Sequence, residues 1–259
     1  MMPSFLRRNR RLFLPGLVLV LLVLAWDGIV RVIGIPPILL PGPGEVYEIA
    51  VSESSLLLPA AWTTLSEILL AACLAIVGGV LTGGLIFFSP LVRRGLFPYI
   101  LMTQVVPKVA LAPVLIIWFG VGLTSRLVLA FLIAYFPMVI NTVTGLMTAS
   151  NSMLLYARSL AASDWQVFAK VRLPHALPAI VGGMKITVSV SVIGIIVGEF
   201  VASEGGLGRL ILESAAVLNT PLTIAAIVLV GVIGLALLGI VELLERRMVF
   251  WRVSDDGSL

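Results

Sequence analysis

LYARSLAASDWQVFAKVRLPHALPAI, residues 155–180, is the long polar interruption in the second half of an otherwise largely apolar chain. Apolar runs flank it on both sides, so its reading decides how those runs are joined. The stretch reads as two short helices. Ser163 followed by Gln166 is a capping box: the hydroxyl accepts from one free backbone donor and the amide side chain reaches back to another. Trp165, Phe168 and Val171 follow at helical spacing, while Asp164, Gln166, Lys170 and Arg172 take the other faces. Pro174 and Pro178 are expected to end the element, because neither can donate to a helical ladder. The expectation is a compact amphipathic element held between membrane spans. It holds no acid–base pair, metal-ligand cluster or phosphate loop.

Composition sets the medium. Of 259 residues, 60% are hydrophobic and 12% charged, against about 25% charged in soluble domains. So few charges do not cover a soluble surface, and the chain reads as an all-α integral membrane protein. The single Cys73 excludes a disulfide framework and a Cys-based zinc site. The single His175 is too few for a His-based site and reads as a loop residue.

Six spans are expected, at about 12–33, 56–88, 97–119, 126–147, 181–202 and 222–244. The first follows Arg7, Arg8, Arg10 and Arg11; it is longer than a signal-peptide core and lacks a small-residue cleavage site, so it is read as retained. Asp27 and Arg31 can pair near its far end. Pro36, Pro37, Pro41 and Pro43 forbid a helix in the segment that follows, and a short one can start from Glu45. Gly78, Gly79, Gly83 and Gly84 give the second span a small-residue face for close packing. Arg93 and Arg94 mark the next turn. Pro107 and Pro113 interrupt the third span. After the fifth, Gly205, Gly206 and Gly208 break the helix before a short one at 209–218; a phosphate-binding reading of these glycines fails, since no strand precedes them and no GK[ST] follows.

Charge gives the orientation. One side holds Arg7, Arg8, Arg10, Arg11, Arg93, Arg94, Arg158, Lys170, Arg172, Arg246, Arg247 and Arg252; the other holds Arg31, Arg126 and Arg209. The excess marks the cytoplasm, so both termini and the 155–180 loop are expected there. Intramembrane polar residues are the pointers to a pathway, because charge in hydrocarbon is costly. The candidates are Glu67, Gln104, Lys108 and Glu199, with Thr103, Asn141 and Thr144 as further polar lining. Gln104 and Lys108 lie four apart; Lys108 either meets an anionic solute or pairs with Glu199 or Glu67. No Walker motif occurs, so the chain does not hydrolyse ATP by itself, and no catalytic or metal cluster is evident.

The 155–180 stretch resembles the EAA loop of permease subunits of binding-protein-dependent ABC importers. Ala157, Leu160, Ala162, Ser163, Phe168, Leu173, Pro174 and Pro178 match that pattern; Leu155 and Tyr156 stand where the family has Glu and Ala, and Ala161 where it has Gly. A second match is the run Pro107, Ala110, Pro113, Trp118, Phe119, Gly120 and Gly122. The likeness covers about 56–252 and is to the nitrate/sulfonate/taurine branch. It implies a type I importer permease architecture, with 1–55 an N-terminal tail, first span and Pro-rich external segment, 56–252 the permease domain and 253–259 a cytoplasmic tail. It implies that Ala157, Leu160, Ala161, Ala162, Ser163, Asp164, Phe168 and Pro174 couple to the ATPase. The implied partners are two cytoplasmic ABC ATPase subunits, which bind ATP and Mg, a second permease copy, an external solute-binding protein and the bilayer, without nucleic acid. The implied site is the bacterial cytoplasmic membrane, and the implied solute a small anionic or polar organic molecule. The alternative is an ATPase-independent secondary transporter or channel, against which stands the lack of an inverted repeat.

Overall fold

A computed structural model of the chain describes residues 4–249. The cationic, aromatic tail from Phe250 through Arg252, the 253–259 tail and the side chains of Arg7, Arg8, Arg10 and Arg11 lie outside the described residues.

Every regular element among the described residues is helical. In order these are α1 (Ser4–Ile33), α2 (Pro43–Ser52), α3 (Ser54–Phe88), α4 (Pro90–Met102), a 3-10 turn (Lys108–Leu111), α5 (Ala112–Phe119), α6 (Leu123–Met147), α7 (Asn151–Ser159), α8 (Asp164–Val167), a π-helical turn (Phe168–Arg172), α9 (Leu173–Ala202), α10 (Leu207–Ala216) and α11 (Thr220–Met248). Two compact units emerge, Met1–Pro59 with Leu210–Leu229, and Ala60–Arg209 with Val230–Leu259, each as far as the described residues reach.

Within the first unit, α1 carries an apolar window at Gly16–Ile33, and Arg31 pairs with Asp27 at 2.8 Å. The Pro-rich segment differs from expectation. Pro43 starts α2 rather than forbidding it, because its missing N–H falls at a position where no helical partner exists. Glu45 then reaches back to accept from the Gly42 amide at 2.9 Å. At the start of α11 the contact runs the other way, the Asn219 side chain ahead of the helix accepting from the Leu222 amide at 3.3 Å.

In the second unit α6 and α9 form the central pair. Their backbones meet where side chains are small: a Cβ on Gly194 would stand 2.7 Å from Ala130 Cα, and one on Gly145 3.1 Å from the Ala176 carbonyl oxygen. The small face of α3 packs on α6 through Gly79 against Met138 and Gly83 against Thr142, while Gly84 meets nothing. Ile86, Ile100, Val139 and Val143 form one buried cluster, and Met138, Leu146, Ala176 and Ile180 another.

Among the described residues five helices are long and apolar enough to cross a membrane, where six spans were expected. The expected span at 97–119 is split. Pro90–Met102 has 13 residues, about 20 Å at 1.5 Å per residue, too short for a hydrocarbon core of about 30 Å. It closes through tightened bonds, Gln104 N–H to the Leu101 carbonyl and Val105 N–H to the Met102 carbonyl, both 3.2 Å. Pro107, with no N–H to give, separates it from the 3-10 turn and α5. Arg93 and Arg94 lie inside α4, and the turn falls earlier, at Ser89, whose hydroxyl caps the Val92 amide.

The prolines after the 155–172 stretch also behave differently from expectation. Asp164–Ala202 is helical throughout, 39 residues. The π turn at Phe168–Arg172 lies just before Pro174, so the missing donor falls where the ladder is already shifted. Pro178 then lies within α9, and the fifth span starts well before residue 181.

Candidate functional site

The 150–175 element is built from local signals. Ser150 caps α7 by accepting from the Met153 amide. At the other end, Ala162 N–H donates to the Ala157 carbonyl at 3.2 Å and Ala161 N–H to the Arg158 carbonyl at 2.9 Å, which is a Schellman motif. The residue it places in the left-handed region is Ala161, φ 54°. Two residues on, the expected capping box is present: Ser163 Oγ accepts from the Gln166 amide at 3.3 Å and Gln166 Oε1 from the Ser163 amide at 2.9 Å. Asp164 stands in the first turn of α8, where the helix dipole favours an anion. Two motifs back to back thus fix the angle between α7 and α8.

An open apolar groove of about 400 Å³ lies along this element, lined by Met153, Tyr156, Ala157, Leu160, Ala162, Gln166, Val167, Lys170, Val171 and His175. Leu160 and Trp165 stand out from it, 65% and 69% exposed. Trp165, Phe168 and Val171 do not form a single outward face. Phe168 turns inward, 4.8 Å from the Phe88 ring and 6.1 Å from Phe87, and packs on the Met138 cluster. It anchors the element to α3 rather than offering a contact surface. Arg172 does the same toward α6: its Nη1 donates to the Leu146 carbonyl at 3.2 Å, and its guanidinium lies 5.1 Å over Phe87. Pro174 sits in the first turn of α9.

At the opposite end of the same helices lies a buried polar cluster. Arg126 on α6 makes a fork to Glu67 on α3, through Nε at 2.9 Å and through Nη2. Its Nη1 donates to the Ala202 carbonyl at the end of α9, 2.8 Å. Beside this, Glu199 on α9 accepts from Thr64 Oγ1 at 2.7 Å and from the Gly208 amide at 2.6 Å, while Thr64 Oγ1 accepts from the Leu207 amide at 2.8 Å. The first amides of α10 are thereby capped by α3 and α9. The glycines explain themselves here: a Cβ on Gly206, φ +94°, would run into the Glu199 carboxylate, and one on Gly208 would stand 2.7 Å from Glu199 Cβ. This Gly-rich loop does cradle an acidic group, and the group is the chain's own Glu199.

Lys108 pairs with neither Glu199 nor Glu67, which are engaged with other partners. Its Nζ lies 5.2 Å over the Phe136 ring, and no carboxylate reaches it among the described residues. Gln104 and Lys108 do not share a helical face either, because the break at 103–107 separates them. Asn141 and Thr144 bond back to their own helix, at Pro137 and Ile140 carbonyls.

Sequence reasoning missed Arg126, which it counted as an outer loop cation. The available signal was an arginine at the head of a long apolar run, where a charge needs a partner. It also missed Thr64, and Lys185, which pairs with Glu245 on α11 at 2.5 Å. Among the described residues no cluster of three metal-ligating side chains exists.

A prediction arises at Ala161. A non-glycine residue in the left-handed region costs about 1 kcal/mol or more. Ala161→Gly should therefore raise the thermal midpoint of the purified protein by about 2 °C, the shift expected from relief of roughly 1 kcal/mol in a chain this size. A lowered midpoint would contradict the assigned turn.

Residues 75–250 match the family described as the binding-protein-dependent transport system inner membrane component. A probable ABC transporter permease protein of Haemophilus influenzae is 34% identical over 243 residues, covering 94% of this chain and 99% of that protein. The taurine transport system permease protein of Escherichia coli is 30% identical, covering 90% and 87%. Among solved structures, an inward-facing form of the MetNI methionine ABC transporter superposes with a TM-score of 0.66 at 21% identity, covering 76% of this chain and 98% of that one, and shows the same fold. With an element of fixed angle at one end of the helices, a sealed polar cluster at the other and these likenesses in hand, the chain belongs to the binding-protein-dependent ABC importer permeases: it is a multi-pass membrane permease subunit of type I fold, in the company of the sulfonate and taurine permeases.

Proposed function

We propose that this permease works as one of two copies in a bacterial cytoplasmic membrane, with both termini inside and two ABC ATPase subunits docked beneath. The ATPases bind ATP and Mg, and the permease itself does no covalent chemistry. An external binding protein delivers a small anionic or polar organic solute, in keeping with the taurine permease among its relatives. Gln104 and Lys108 line the pathway, and Glu67 and Glu199 brace the helices around it. The observation that carries the reading is the element from α7 to the π turn. Its shape is fixed by the Schellman turn and the capping box. It is tied to α3 through Phe168 and to α6 through Arg172, and it presents Leu160, Trp165 and the apolar groove outward. Leu160, Ala161, Ala162, Ser163 and Asp164 form the docking edge, with Phe168, Pro174 and the buried Ala157 behind them as anchors.

The test uses the single native thiol. With Cys73→Ala in place, a cysteine at Ala161 or Ser163 should cross-link, in intact membranes, to a cysteine engineered in the cleft of the partner ATPase. If no position from 157 to 166 cross-links, the ATPase-independent transporter becomes the better reading.

A further inference from the structure

The break in the third apolar segment poses a physical problem. Residues 89–122 must travel from the Phe88 end of the bundle, beside Phe168, to the Leu123 end, beside Arg126 and Ala202. They therefore cross its full height, and the irregular backbone at 103–107 lies partway. Its depth is fixed by Lys108, whose ammonium lies over Phe136, near the middle of the 25-residue α6. Irregular backbone at membrane depth does not face lipid; it is tolerated where protein covers it or where it lines a water-filled cavity. In the single chain this break is open: Met102 is 65% exposed, Val105 86% and Val106 49%. An intramembrane lysine without a carboxylate partner is likewise costly unless it faces water or a ligand. Lys108 opens the 3-10 turn that leads into α5.

We propose that this break is an anion-binding station inside the solute pathway, where Lys108 receives the sulfonate or carboxylate group of a small organic anion above the Phe136 ring. The inference rests on the importer reading and adds to it a place and a charge. The aromatic ring holds the ammonium in one orientation without neutralising it. A carboxylate in the ring's place would pair with the lysine and leave it nothing to offer the solute. The permease thereby exerts its own selection by charge, in addition to any made by the binding protein.

The test reads local electrostatics and needs no knowledge of the solute. In the full-length Cys73→Ala protein, within the intact transporter in native membranes, a cysteine is placed at Gln104 or, separately, at Val106. Each is treated with a sulfonate-bearing methanethiosulfonate and with its trimethylammonium counterpart. Both are membrane-impermeant, and free cysteine sets their relative intrinsic rates. After that correction the anionic reagent is expected to react at least tenfold faster than the cationic one at one or both positions. Lys108→Gln should bring the ratio to near one, and Lys108→Arg should preserve it. The proposal is overturned if neither reagent reacts at either position, since the break then does not line an aqueous path. It is also overturned if the two rates are equal, or if Lys108→Gln leaves the ratio unchanged. Cross-linking of Ala161 to the ATPase is scored in the same membranes. Cross-linking without anion preference rejects the station alone; anion preference without cross-linking rejects the ATPase-driven reading and leaves the station standing.

Discussion

Arg126→Met is expected to reduce sharply the amount of folded permease recovered from membranes. The substitution leaves Glu67 buried, 4% exposed, with its guanidinium gone. It also strips the Ala202 carbonyl of its donor at the end of α9. Removing one member of a buried pair costs about 3–5 kcal/mol, because the remaining charge is uncompensated. Replacing both members with apolar residues of similar size is far milder, since no charge is then left behind. Glu67→Met combined with Arg126→Met should accordingly recover most of what Arg126→Met loses. Thermal stability in detergent, followed by size-exclusion chromatography for the wild type, both single variants and the double variant, gives the coupling directly. Additive losses in the double variant would show that the pair is not a unit.

Gly208→Ala should be nearly as damaging, although it adds a single methyl group. That group would stand 2.7 Å from Glu199 Cβ and 3.0 Å from the Ile196 carbonyl oxygen. Backbone or helix must move, and the Gly208 amide then loses its hold on the Glu199 carboxylate. Overpacking costs about 1–3 kcal/mol and an unsatisfied buried group about 1–3 kcal/mol more, so a loss of roughly 2–6 kcal/mol is expected. Gly205→Ala is the matched control, because nothing lies within 4 Å of a Cβ there. Equal stability of the two variants would refute the cradle as described.

The contrast between these sites and the element from α7 to the π turn shows what a sequence exposes. The Ser163–Gln166 cap was legible because its partners lie three residues apart and the geometry of one helical turn brings them together. The Ala161 position was legible only as a departure from a motif; the left-handed backbone it takes is a property of the turn. Arg126 and Glu67 stand 59 residues apart, and no local pattern joins them, so the arginine was assigned by charge counting to a loop. Glu199 was visible as an intramembrane carboxylate, and the glycines nearby as helix breakers. That the one is the reason for the other follows only from their meeting in space. The prolines acted in opposite ways: the span expected to be interrupted at Pro107 and Pro113 divides at 103–107, with Pro113 in the first turn of α5, whereas Pro174 and Pro178 failed to stop a helix whose π turn accommodates them.

The 39 residues of Asp164–Ala202 come to about 58 Å at 1.5 Å per residue, nearly twice the hydrocarbon thickness of about 30 Å. Mechanically this is a beam that overhangs its support. A tilt of about 10° about its midpoint, on that length, carries each tip roughly 5 Å, in opposite directions. One tip bears Trp165 and the groove; the other bears Glu199, which holds the Gly208 amide of α10. α6 is clamped along the beam by contacts too close for a side chain at Gly145 and Gly194, so it must swing along with it. Any such tilt that moves Trp165 would also move Glu199, and the loop that holds the carboxylate would have to follow or release it.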